Sequence, residues 1–144
     1  MRWNQFGDDI ARATALGEVL LGAALAAGAS SETKLASARG QVAKSLGTST
    51  LPVEVSAHLR RFDPRRFDLG AACRVVALEG RDRLDLMKAV SVVIRADGTV
   101  APEERAYALR VATQLGLSWT EVLDLVGVPA RATTNTQPRP VTRP

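Results

Sequence analysis

One cysteine, one histidine and six aromatic residues are all that this chain of 144 residues carries of those types. Cys73 alone permits no internal disulfide, no dithiol redox pair and no multi-cysteine metal site. His58, flanked by Ala57 and Leu59, gives general-base catalysis little to work with. No Gly-rich phosphate loop, zinc motif or nucleophile–base pair occurs. These absences argue against an enzyme. Long apolar runs are missing as well. Val19 to Ala29 is uncharged and apolar, but far shorter than the ~20 residues a spanning helix needs. Asp8 and Asp9 interrupt any secretory pattern at the start. The expectation is a cytoplasmic chain with no transmembrane segment.

Net charge is +4, and its placement matters more than its size. Three arginines and no acids follow residue 128, which leaves 16 basic against 15 acidic residues before it. The high isoelectric point therefore belongs largely to the last residues and makes a weak case for nucleic acid. Hydrophobic residues make up 46% of the chain while aromatics make up 4%, so Ala and Leu carry most of the apolar content. Ala and Leu are strong helix formers, and β-branched or aromatic runs are few. The length suits a single core. The chain reads as one all-α bundle of about seven helices over 1–128, followed by a disordered Pro- and Arg-containing tail over 129–144.

The helices are marked by their boundaries. Asp8 and Asp9 open a first helix to about Ala27, with Ile10, Ala13, Leu16 or Gly17, Leu20, Leu21 and Ala24 on one face. Its opposite face is mostly alanine and glycine, so it could pack on several sides. Ser30 or Ser31 caps a second helix with a stripe of Leu35, Ala38, Val42 and Leu46, closed by Gly47. Pro52 starts a third, which turns Val55, Leu59 and Phe62 inward. Asp63-Pro64 repeats the cap-then-proline pattern and predicts a fourth helix with Phe67, Ala71, Val75 and Leu78 as its stripe. Glu79-Gly80 breaks it, and Asp82 caps a fifth. A sixth ends at Leu115-Gly116. Ser118-Trp119-Thr120-Glu121 is a capping box for a seventh, docked by Trp119, Val122, Leu123 and Val126.

The stretch between the fifth and sixth helices, Arg95 to Glu104, organises the rest. Gly98 suits a positive φ just past a helix end. Pro102 fits the first turn of the next helix, where Glu103 and Glu104 meet the positive end of its dipole. Asp97 could accept bonds from that helix's free N–H groups. Laid on a calcium-binding helix–loop–helix, Asp97, Gly98, Val100 and Glu104 occupy positions 5, 6, 8 and 12 with suitable residue types. Positions 1 and 3 fall on Val93 and Arg95, which supply no carboxylate. A calcium site of ordinary affinity is therefore not expected, and a capped turn fixing two helices is. A faint repeat accompanies it. Ala26-Ala27-Gly28 followed by Leu46-Gly47 echoes Ala96-Asp97-Gly98 followed by Leu115-Gly116, with the glycines 19 and 18 positions apart. The chain thus reads as two loosely repeated helix–turn–helix halves.

Ala96-Asp97-Gly98, Val100, Pro102, Glu103, Glu104 and the closing Leu115-Gly116-Leu117 resemble the tellurite-resistance TerB-like family over about residues 84–126. The first half matches only in helix rhythm. The resemblance implies a small all-helical domain with two such turns, whose acidic residues form a shared negative patch able to hold a metal. By position it implicates Asp97 and Glu104, with Glu103 beside them, as partner-binding residues or as ligands of a weakly held divalent cation. No other cofactor is implied. The first-half counterparts depart from the pattern: Ala27 stands for the aspartate, and Glu32 or Lys34 lies near the glutamate. The implied role is a non-enzymatic module in stress response, phage defence or envelope complexes. Its partner would be an unidentified protein, and its place the cytoplasm or the periphery of the inner membrane. A second, different reading comes from Arg60, Arg61, Arg65 and Arg66, interleaved with Phe62 and Phe67. Those arginines could bind nucleic acid or another anionic surface. The plainer alternative is a pair of core aromatics with a solvated rim.

Overall fold

The computed structural model describes residues 6–28, 31–77, 80–118 and 120. These residues form six helices: α1 (Phe6–Ala24), α2 (Glu32–Leu46), α3 (Val53–Arg60), α4 (Leu69–Val76), α5 (Gly80–Ile94) and α6 (Pro102–Leu115). No strand occurs among the described residues, so the all-α expectation holds. The expected seventh helix, with Trp119 and Val122 to Val126, lies outside the described residues, as do Leu78, Glu79 and the tail.

The organising element of the packing is α1, which touches all five other helices. A helix can do this only if it is apolar or small on every side. Ala13, Leu16, Val19, Leu20, Ala23 and Ala24 are almost fully buried on it, and Gly17 and Gly22 let neighbours approach. A Cβ at Gly17 would lie 2.7 Å from the Leu59 side chain. At Gly22 it would overlap the Tyr107 hydroxyl. That hydroxyl donates to the Val19 carbonyl at 2.7 Å, so α6 is fastened to α1 inside the core. Around this axis α2 packs on α5, α4 on α6, and α5 on α6.

Several helix ends follow the sequence signals. Asp8, Asp9 and Asp82, however, lie inside the first turns of α1 and α5 rather than capping them, and α1 ends at Ala24 instead of about Ala27. Ser31 caps α2, its hydroxyl accepting from the Lys34 N–H at 3.3 Å. Gly47 and Gly116 close α2 and α6 in the left-handed region, with φ of 72° and 70°. Pro52 is the N-cap of α3 rather than its first residue. The fourth helix differs more. Asp63-Pro64 makes a single closed turn, in which Arg66 N–H donates to the Asp63 carbonyl at 3.0 Å. The helix proper starts five residues later, where the Asp68 carboxylate accepts from the Ala71 N–H at 3.0 Å. Its buried face is therefore Leu69, Ala72, Cys73 and Val76, and Val75 is exposed. Aspartate before proline suits an isolated turn as well as a helix start, so the motif alone did not choose.

Candidate functional site

The chain leaves α5 and enters α6 through a turn closed by glycine. Gly98 has φ 85°, and its N–H donates to the Arg95 carbonyl at 3.0 Å. Asp97 does not reach the free N–H groups of α6. Its Oδ1 accepts instead from the Thr99 hydroxyl at 2.8 Å and the Thr99 N–H at 3.1 Å. These two bonds, aided by the nearby Lys34 charge, hold the Asp97 carboxyl below the usual carboxylate range. α6 then begins at Pro102 after the N-cap Ala101. Alanine has no oxygen to offer the helix, so only half of a capping box forms. Glu104 Oε1 reaches back and accepts from the Ala101 N–H at 2.7 Å.

The other carboxylate oxygen of Glu104 goes elsewhere. Lys34, in the first turn of α2, sends its ammonium across to Glu104 Oε2 at 2.5 Å. The same nitrogen donates to the Thr99 carbonyl at 3.0 Å and lies 3.4 Å from Asp97 Oδ1. Lys34 and Glu104 are 4% and 2% exposed, so this is a buried, hydrogen-bonded ion pair joining α2 to the second turn. Burying either charge alone would be costly, and the pairing offsets that cost.

This arrangement corrects the expected acidic patch. Asp97 and Glu104 meet only through the Lys34 ammonium, and Glu103 stands apart from both. Glu104 is inside and fully bonded, while exposed Glu103 lines a different groove with Gly22, Phe67, Tyr107 and Arg110. Among the described residues, no three of His, Cys, Asp and Glu come together as metal ligands. The resemblance implies a divalent cation, but the residues here do not fit one: an ammonium already lies among the oxygens that would hold it. Glu104 is equally closed to a partner. Of the expected partner-binding residues only Asp97 is at the surface.

A second ion pair shows the same kind of placement. Arg12 on α1 bonds Asp82 Oδ2 at 3.1 Å in the first turn of α5, and the Val76 carbonyl at 2.9 Å at the end of α4. Both ion pairs join residues 70 apart in sequence. Gly28 and Gly98 are separated by that same interval, and so are the N-caps Ser31 and Ala101. At two places, then, an ion pair joins residues at the same spacing that separates these two glycines and these two N-caps.

The arginine segment is arranged differently. Phe62 and Phe67 meet edge to face at 5.2 Å between ring centroids and pack against the core. Arg60, Arg61, Arg65 and Arg66 are all exposed. Among the described residues, only Arg65 of these four lies within ion-pair distance of a carboxylate, Asp63 at 3.4 Å, and there the pair is exposed. Arg39 of α2, which the sequence reading passed over, joins Arg60 with Ser56, Leu51 and Leu59 around a notch of about 260 Å³. Among the described residues, no acid lines that notch. His58 is exposed, as expected of a surface helix residue. Cys73 is buried at the α4 face, where desolvation pushes its thiol up to about 11. A thiol in that state stays protonated and supplies no nucleophile.

The most consequential residue missed by the sequence reading is Lys34. A signal for it existed. Ser31 and Lys34 are the first and last residues of a capping box in which lysine replaces the usual Glu or Gln. A cation in the first turn also opposes the helix dipole. Such a local conflict points to a partner elsewhere in the fold. Among the described residues, no helix is long and apolar enough to cross a membrane. No family model, no curated protein and no solved structure matches the chain.

Proposed function

We propose that this chain is a non-enzymatic interaction module of the TerB-like kind, built from two related helix–turn–helix halves and serving bacterial stress response, tellurite resistance or an envelope-associated complex. The two ion pairs between positions 70 apart support the relation of the halves. In halves related by an approximate two-fold axis, a residue meets its own counterpart beside that axis. The acid turn then serves as the joint. Around it, Lys34, Arg95 and Arg105 balance Asp97, Glu103 and Glu104, which leaves little net field for a partner to sense.

The surface that remains is the arginine face. Its supporting observation is charge without internal compensation: Arg39, Arg60, Arg61 and Arg66 have no carboxylate within ion-pair distance among the described residues. An acidic protein surface is the complementary occupant, and steering by unpaired arginines would speed its encounter. Co-purification from the native cell decides the matter. The triple variant Arg61→Glu/Arg65→Glu/Arg66→Glu should lose the partner, while Asp97→Asn/Glu103→Gln keeps it. The opposite result would return recognition to the acid turn. Tight, steeply salt-dependent binding of duplex DNA by the parent would favour nucleic acid instead.

A further inference from the structure

We infer that the Lys34 ammonium is itself the cation of this joint, doing within one chain what a divalent ion would have to do if both halves carried an acid. The inference goes beyond the question of which surface meets a partner. It starts from the shared position of Lys34 and Glu104. Glutamate at both would set two carboxylates against each other, with Asp97 beside them, and like charges at such range oppose ionisation. A hard divalent cation with oxygen ligands is the usual remedy. Here the first half supplies a lysine instead. Its nitrogen is ringed by a carbonyl oxygen, Thr99 O, and two carboxylate oxygens, Glu104 Oε2 and Asp97 Oδ1, the ligand types a calcium ion takes.

The calcium-loop comparison then makes physical sense. Asp97, Gly98, Val100 and Glu104 match the second part of such a loop, whereas Val93 and Arg95 supply no ligand in the first. An ion would find too few ligands from this turn alone. The lysine needs fewer, because it brings one charge and three donors on a tether, and burial at 4% exposure keeps it in place. The joint is therefore permanent and indifferent to calcium, magnesium and chelators. It also carries a latent site for a hard divalent cation. Lys34→Glu would remove the ammonium and add a carboxylate from α2, giving an all-oxygen set contributed by both halves.

The test is thermal unfolding of the full chain, followed by circular dichroism, in EDTA and in millimolar calcium, magnesium or manganese. The parent should melt at the same temperature in all of them. Lys34→Glu should melt lower in EDTA and rise by several degrees with at least one of the cations, since a ligand that binds only the folded state stabilises it. That rise should disappear in Lys34→Glu/Asp97→Asn. If Lys34→Glu is unfolded in EDTA, refolding on addition of the cation supports the inference equally. Three results would overturn it: stabilisation of the parent by a divalent ion, a Lys34→Glu chain that no cation stabilises or refolds, or a response that survives the loss of Asp97.

Discussion

The turn at Leu25–Gly28 and the turn at Arg95–Gly98 share a backbone and differ in nearly everything attached to it. Gly28 and Gly98 have φ of 87° and 85°, and their N–H groups bond the third preceding carbonyl at 2.9 and 3.0 Å. Both follow a long helix and lead into one closed by a left-handed glycine. Yet Ala27 carries nothing polar, whereas Asp97 anchors Thr99 and faces Lys34. The first turn is capped from its own segment by Ser31. In the second, Glu104 does the capping with one oxygen and takes Lys34 of α2 with the other. Backbone geometry is thus set by glycine locally, while the polar chemistry of the second turn is completed by a lysine from α2.

The sharpest way to break this division is to remove one partner only. Lys34→Met should destabilise by about 3–5 kcal/mol, because an unpaired carboxylate is left buried. Lys34→Met/Glu104→Met should recover much of that loss, and urea unfolding of the three chains measures both. Ala27→Asp, at the matching place in the other turn, should change stability little.

Burial separates the two helices next. Gly22 on α1 and Val92 on α5 stand 70 apart, but Gly22 lies against Tyr107 while Val92 is on the exposed side of α5. Gly22→Ala pushes a methyl into the Tyr107 hydroxyl and should cost about 1–3 kcal/mol by overpacking. Val92, 47% exposed, should tolerate alanine with a far smaller loss in the same denaturant series. A similar cost at both sites would show that α1 does not hold the central position described.

Where the turns agree, they should fail alike. Gly28→Val and Gly98→Val each force a β-branched residue to positive φ, at roughly 1–3 kcal/mol. A Cβ meets nothing within 4 Å at either place, so the backbone alone is tested. Thermal melts of the two variants should shift together. A parent-like melt for either would remove the left-handed cap from the account.

The smallest effect belongs to α4, in the connection between the hairpins. The folded-state pKa of Cys73 is raised from 9.0 to about 11, so the unfolded chain releases this proton first. The stability tied to the neutral thiol is present below pH 9 and is lost as pH rises towards 11. Between pH 9 and 10 the loss should be about 1 kcal/mol. Cys73→Ala should flatten that slope in urea titrations, after correction for its own constant packing cost. Tyr107, raised further by its burial, extends the decline at higher pH.

What the sequence determined by itself is local. Glycines fixed the turns, Ser31 marked the cap of α2, and the small-residue faces of α1 suited a helix packed on several sides. Each of these follows from interactions within a few residues, which composition and spacing express directly. Asp63-Pro64 was ambiguous for the same reason, since its local chemistry fits a turn and a helix start equally. The tertiary structure decided the fate of the charges. Whether Glu104 is a surface ligand or half of a buried pair depends on a lysine 70 residues away. Only the packing of α2 against α5 brings that lysine's helix to the second turn. Charge pairing acts through space over a few ångströms, and desolvation sets its strength, so the chain order that carries turns and caps carries almost none of it.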